Sequence, residues 1–199
     1  MTTRKNKLFT TQHLTLMAIL AALSSVLFLI EIPIGMPFYK LDLSNIPVLL
    51  GAFMMGPAAG TVILAVKDLI GLLHSSSAGI GELADFIMGL AMMLPAAVYY
   101  HGHKSRKGAL TGMVIGILCT VFVSVLVNKW IMLPFYMGAY HMDMDGILKF
   151  ANVGGVDSEW KLLLLITGPF NLLKGAVLSV VTGLIYKPLS PLLHEKKGR

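Results

Sequence analysis

Between residues 14 and 186 the chain is a succession of apolar runs, several of them close to the ~20 residues that a helix needs to cross a ~30 Å hydrocarbon layer. They are Leu14 to Ile30, Ile46 to Met55, Pro57 to His74, Leu83 to Tyr100, Ala109 to Phe135 and Trp160 to Tyr186. Short breaks such as "GP", "SSSAGIGE" and "HGHKSRKG" separate them. The composition agrees, with 56% hydrophobic and 13% charged residues and a mean hydropathy of +0.77, far from the range of water-soluble domains. Backbone polar groups in lipid must be satisfied internally, and runs of this length do so as helices.

The expected fold is therefore an all-α integral membrane protein. It forms a single membrane domain over residues 1–199, with six transmembrane helices at about 14–30, 46–55, 57–74, 83–100, 109–135 and 160–186. The second run, only ten residues between prolines, fits a re-entrant or broken segment as well as a full crossing. Six crossings place both termini on one side, and the charges can test this. Arg4, Lys5 and Lys7 precede the first run, Lys104, Arg106 and Lys107 lie between the fourth and fifth, and Lys187, Lys196, Lys197 and Arg199 follow the sixth. All ten fall on one side, whereas nine of the ten acidic residues lie on the other side or within the runs. Both termini are thus expected in the cytoplasm.

The formal charge of +6 is explained by these tails and one loop facing anionic lipid, and no aromatic-basic module points to nucleic acid. A cleaved leader over residues 1–25 is disfavoured, because its removal would delete the first crossing and spoil the charge asymmetry. The lone Cys119 excludes an internal disulfide.

The polar residues inside the apolar runs are unevenly placed. Lys67 and Asp68 fall at or past the middle of the third run, Glu82 and Asp85 open the fourth, Asn128 and Lys129 lie in the outer third of the fifth, and Asn171 and Lys174 sit near the middle of the sixth. Residues 57–66, 87–98, 109–127 and 175–186 contain no Asp, Glu, Lys, Arg, His, Asn or Gln. The polar groups thus outline a cavity open to the outside and closed toward the cytoplasm. A charge in hydrocarbon costs at least ~2.5 kcal/mol, so such residues face a cavity, pair, or snorkel. Snorkelling serves Lys129, Glu82 and Asp85 near helix ends, but serves Lys67 and Lys174 badly. Asn171 and Lys174, three apart, share a helix face, whereas the adjacent Lys67 and Asp68 diverge by about 100° and are expected to serve different partners.

A carboxamide both donates and accepts, which suits the edge of a ring imide; an ammonium only donates, which suits a carbonyl or phosphate oxygen. A small solute with polar edges fits such a cavity. The sealed inner half gives no ion path. No Ser/His/Asp grouping, HExxH or cysteine cluster indicates an enzyme. "HGH" and "HMDMD" lack helical ligand spacing, so no metal site is expected. GxxxxGK[ST] is missing too, as is a visible two-fold repeat, so accumulating a solute needs a partner that supplies energy. Ala18 with Ala22, and Ala21 with Ser25, make small-xxx-small pairs that admit another helix, either from that partner or from this bundle.

Four segments carry a resemblance to a known family: "YKLDLSNIPVLLGAFMMGPAAG" at 39–60, "VKDLIGLLHSSSAGIGELADFIMG" at 66–89, "VNKW" and "PFY" at 127–136, and "PFNLLKG" at 169–175. In order and content they resemble the riboflavin-specific substrate-binding subunit, or S component, of energy-coupling factor transporters, over roughly residues 14–187. The resemblance implies a multi-pass protein of the cell membrane that captures riboflavin from outside as its transported ligand. No cofactor is implied, and the partners are a transmembrane coupling subunit and two ATPase subunits. It further implies that Asn128, Asn171 and Lys174 contact the flavin and that the first outer loop, with Tyr39, Lys40, Leu41 and Asp42, covers it. Lys67, Asp68, Glu82 and Asp85 either join the site or hold its loops, and Ala18 and Ala22 meet the coupling subunit. Two positions depart from the family pattern, Asn45 in "DLSNIP" and Asp85 in "GELADF", on the side implied for the ribityl chain. The alternatives are the same scaffold for FMN or another vitamin, a stand-alone facilitator, and a subunit of another complex that binds no solute.

Overall fold

The computed structural model describes residues 10–34, 36–141, 143–151 and 155–193. Arg4, Lys5, Lys7, Lys196, Lys197 and Arg199, on which much of the charge asymmetry rests, lie outside the described residues.

Helix α1, Thr11–Phe28, begins where the Thr10 side chain accepts the His13 N–H at 3.3 Å, relieving one of the free donors of its first turn. A hairpin follows, in which β1, Ile32–Ile34, pairs antiparallel with β2, Met36–Leu41. Helix α2, Asn45–Met55, ends at Gly56, whose φ of +107° suits glycine, and Pro57 then opens α3, Pro57–Gly71. A 3₁₀ turn, Leu72–His74, closes α3, and α4 runs from Ile80 to Gly102 through an internal Pro95. Helix α5, Arg106–Val127, starts where Ser105 Oγ accepts the Gly108 N–H at 2.9 Å. It continues through a π-helical turn, Asn128–Met132, into α6, Leu133–Tyr140. After α7, Met144–Ala151, the last span is built from α8, Glu159–Leu162, a second π-helical turn, Leu163–Thr167, and α9, Gly168–Leu193.

Three features differ from the sequence-based expectation. The β1–β2 hairpin makes the chain mostly helical rather than all-α, because "IPIGMPFYKL" carries two prolines, each of which disfavours helix in the residue before it, among isoleucine and aromatic residues that favour extended backbone. The polar stretch 136–158, which lies between the fifth and sixth apolar runs, holds the end of α6 and all of α7. Among the described residues five helical spans are long and apolar enough to cross a membrane, whereas α2 has 11 residues and rises only about 16 Å. Nine consecutive residues of α2, Asn45 to Phe53, are buried, so this helix is core on every side.

Two helices approach unusually closely for a reason the sequence carries. A Cβ built on Gly116 of α5 would stand 2.3 Å from the Met92 carbonyl oxygen of α4, and one on Gly112 2.6 Å from that of Ala96. Gly112 and Gly116, four apart, therefore let the backbones of α4 and α5 touch, as small-residue stripes do in lipid. The main core joins α1 to α5 and α9 around residues such as Leu49, Ile63, Met93, Met113 and Leu178. At its far end Phe53, Tyr100 and Tyr186 pack together, with the two tyrosine hydroxyls 3.0 Å apart. Outward, Ile19 and Leu23 of α1, Leu118 and Phe122 of α5, and Val180 and Leu184 of α9 are exposed. Outer faces so apolar on successive long helices belong in lipid, and the chain is a multi-pass membrane protein.

Candidate ligand-binding site

The polar residues of the helices converge at the end of the bundle opposite that tyrosine pair. Helix α3 brings Lys67, α4 brings Glu82 and Asp85, the first π turn brings Asn128, and α9 brings Asn171 and Lys174. The hairpin closes over them. Tyr39 and Thr167 share a hydroxyl hydrogen bond of 2.5 Å, the Tyr39 ring lies 5.0 Å from that of Phe170, and Lys40 pairs with Glu31 at 2.5 Å. Burial pushes the Tyr39 hydroxyl above its usual pKa, against the opposing effect of its bond to Thr167.

Asp42, just after β2, is the hinge of the arrangement. Its Oδ1 accepts the Ser44 N–H at 2.9 Å and the Ser44 hydroxyl, and its Oδ2 accepts from Lys174 Nζ at 2.7 Å. Burial by itself would raise this carboxyl. The ammonium groups of Lys174 and Lys67, with the hydrogen bonds from Lys174 and Ser44, more than offset that and hold its pKa at about 2. From Asp42 a chain of alternating charges crosses the bundle. Lys174 also faces Asp85 Oδ1 at 3.7 Å, Asp85 Oδ2 pairs with Lys67, and Lys67 lies 3.1 Å from Asp68 Oδ1. Lys67 also donates to Asn45 Oδ1 at 3.3 Å and lies under the Phe28 ring, 4.9 Å from its centroid. Buried charges paired on both sides satisfy one another, and removing one partner of such a pair costs about 3–5 kcal/mol.

Asn128 and Asn171 are set alike. Each donates one amide hydrogen to the backbone carbonyl four residues before it, Ser124 and Thr167 respectively, at 2.9 Å. That bond fixes each carboxamide. The other N–H and the oxygen of each have no hydrogen-bond partner among the described residues. Both lie beside a π turn, Asn128 at the start of one and Asn171 four residues beyond the end of the other. A π turn inserts a residue and re-aims the side chains around it, a device common at functional sites.

These groups enclose a cavity of about 260 Å³, near the ~300 Å³ lower bound of small-molecule pockets. Of the sequence-predicted residues, Tyr39, Lys40, Asp42, Glu82, Asp85, Asn128, Asn171 and Lys174 line it. Leu41 is half-buried outside its lining, and Lys67 is fully buried behind Asp85. Asp68 faces a neighbouring, mostly apolar groove with Leu69, Leu72 and Phe86, which Glu82 also borders. The expectation of different partners for Lys67 and Asp68 is corrected, since the two pair with each other; a long lysine side chain can fold back toward the next residue on its helix. Ala18 and Ala22 are exposed on α1 and border another groove, against Val62 and Val66 of α3. Lys129 lies 3.7 Å over the Trp160 ring, away from the cavity lining.

The cavity's aromatic walls were missed residue by residue. Phe28, Phe135, Tyr136 and Phe170 line it, with Met88 and Met132. Their one signal is position, because Phe170 precedes Asn171 and "PFY" follows the first π turn within eight residues of Asn128. Among the described residues no group of three or more His, Cys, Asp or Glu is placed to hold a metal ion. His101 and His103 instead donate to the carbonyls of Ala52, at 3.0 Å, and Tyr99, at 3.3 Å.

A model of the family described as ECF transporter, substrate-specific component, matches residues 12–186. The chain is 32% identical to the riboflavin transporter RibU of Staphylococcus aureus (strain TCH60), over 96% of this chain and 97% of that one. It is 30% identical to the riboflavin transporter FmnP of Bacillus subtilis (strain 168), over 94% and 96%. A solved chain, described as the S component of a bacterial ECF transporter, superposes with a TM-score of 0.73 at 30% identity, covering 92% of this chain and 97% of its own. The chain therefore belongs to the family of substrate-specific components of ECF transporters.

Proposed function

We propose that this chain is the riboflavin-binding subunit of an energy-coupling factor importer in the cell membrane. The single observation that carries the reading is the cavity itself. Two carboxamides with unused donors and acceptors, Asn128 and Asn171, stand with Lys174 among the rings of Phe28, Tyr39, Phe135, Tyr136 and Phe170. A flavin offers what these groups lack: an imide edge that donates and accepts, a flat ring to lie between aromatic faces, and a hydroxylated chain. The names of the S. aureus and B. subtilis relatives point to the same ligand.

In this reading Asn128 and Asn171 pair with the imide edge, and Lys174 donates to a ring or ribityl oxygen while keeping Asp42 as its anchor. Tyr39, Lys40, Leu41 and Asp42 form the cover. Asp85 and Lys67 hold Lys174 in place, and Asp68 completes that chain of charges from the lipid side. The whole chain acts as one membrane domain that crosses six times, with both termini cytoplasmic. The contact of Tyr100 with Tyr186 supports this, because it sets the loop after α4 beside the end of α9. Since the far half is packed shut, release requires the protein to move. A transmembrane coupling subunit seated on the Ala18 and Ala22 face, with two ATPase subunits, would drive that step, consistent with the lack of a phosphate loop in this sequence.

Equilibrium binding of riboflavin to the purified chain is the test. A dissociation constant at or below about 1 µM is expected, and no binding at that level overturns the flavin assignment. Uptake in cells lacking coupling-factor subunits separates the importer from a stand-alone facilitator, which alone would still transport.

A further inference from the structure

The charges that line the cavity do not balance. Four carboxylates face it, from Glu31, Asp42, Glu82 and Asp85, against two ammonium groups, from Lys40 and Lys174. Both ammonium groups are already committed, Lys40 to Glu31 at 2.5 Å and Lys174 to Asp42 at 2.7 Å and Asp85 at 3.7 Å. Behind the wall Lys67 and Asp68 add one charge of each sign, and Lys67 is wholly buried among Asp68, Asp85 and Asn45.

Glu82 differs from the other three carboxylates. It is 8% exposed, and among the described residues its Oε2 accepts only from the hydroxyls of Ser75, at 2.8 Å, and Ser77, at 3.4 Å. Among the described residues it has no ion pair. Its carboxylate in the cavity wall is thus held by neutral hydroxyls rather than by a paired ammonium. In a site partly shielded from water, the field of that carboxylate acts on whatever enters.

We propose that Glu82 is a specificity-determining residue that admits a neutral flavin and turns away its phosphorylated forms. This inference rests on the flavin reading above and concerns discrimination within it. A phosphomonoester carries about −1.5 to −2 charges at pH 7. In this cavity it meets an excess of carboxylate, and to reach an ammonium it must displace a carboxylate already bound there. A ribityl hydroxyl carries no charge and meets neither obstacle. Like charges brought together in a partly buried site give discrimination of roughly tenfold or more.

The experiment compares dissociation constants for riboflavin and FMN on the purified full-length chain, at about 50 mM and about 500 mM sodium chloride, for wild type, Glu82→Gln and Glu82→Asp. Expected for wild type is FMN binding at least ~10-fold weaker than riboflavin, with the gap narrowing as salt screens the repulsion. Glu82→Gln should narrow the ratio through tighter FMN binding, and Glu82→Asp, which keeps the charge, should preserve it. A merely structural role for Glu82 would move both ligands together and leave the ratio alone. Equal affinities in wild type, a ratio insensitive to salt, or an unchanged ratio in Glu82→Gln each overturn the proposal while the flavin reading stands. Failure of both ligands to bind wild type instead overturns the flavin reading. Should Glu82→Gln not fold, the salt dependence of wild type decides the matter.

Discussion

Lys174 and Asp42, 132 positions apart in sequence, meet at 2.7 Å between Nζ and Oδ2. That one pair fastens the segment after the β1–β2 hairpin to α9, and it does so at the wall of the cavity. Asp42→Asn leaves the Lys174 ammonium, among the described residues, with only the longer ion pair to Asp85, so the variant should lose about 3 kcal/mol of stability, read as a lower unfolding temperature in detergent. Riboflavin should also dissociate faster, because the cover is no longer tied down.

The same carboxyl sets an acid limit. Asp42 has a pKa of about 2 in the folded chain against an ordinary value of 3.8. Its contribution is therefore fully present above pH ~4 and is lost as pH falls toward ~2, an amount of about 2 kcal/mol. Unfolding followed from pH 5 to pH 2 should show a loss in wild type that is smaller by that amount in Asp42→Asn.

Tyr39→Phe keeps the ring against Phe170 but removes the hydroxyl that meets Thr167. Thr167 is fully buried, so its own hydroxyl is left without that partner. A loss of about 1–2 kcal/mol is expected, seen as a shorter lifetime of bound flavin in a stopped-flow chase. An unchanged lifetime would remove Tyr39 from the cover.

Gly116→Ala tests the contact between α4 and α5. The added Cβ would meet the Met92 carbonyl oxygen at 2.3 Å, a backbone atom that cannot swing away, so a loss of about 1–3 kcal/mol is expected. Gly138→Ala in α6, where a Cβ meets nothing within 4 Å, is the control and should be neutral or slightly stabilising. Thermal unfolding of the two in one detergent checks both.

Much of this was legible because hydrocarbon imposes strong rules on sequence. The apolar runs that begin at Leu14, Pro57, Leu83, Ala109 and Trp160 all correspond to long helices, since lipid leaves the backbone few other options. Asn128, Asn171 and Lys174 were visible for the same reason: a polar group costs too much there to be incidental, whereas Asp85, near a helix end, read as a residue that snorkels. The aromatic walls were not legible, because Phe135 or Phe170 in an apolar run reads like any residue facing lipid. Nor were the π turns, which leave no compositional mark, although they border both asparagines. Lys67 and Asp85 looked like two embedded charges, but only the fold, which brings α3 against α4, made them a pair.

The most direct measurement is a fluorescence titration of riboflavin with the purified chain, beside the variant carrying Asn128→Leu, Asn171→Leu and Lys174→Leu together. Wild type should quench the flavin to saturation at one ligand per chain with a dissociation constant at or below about 1 µM, and the variant should show no saturation at 100-fold higher concentration. Superimposable curves for the two proteins would contradict the claim that these carboxamides and this ammonium hold the ligand.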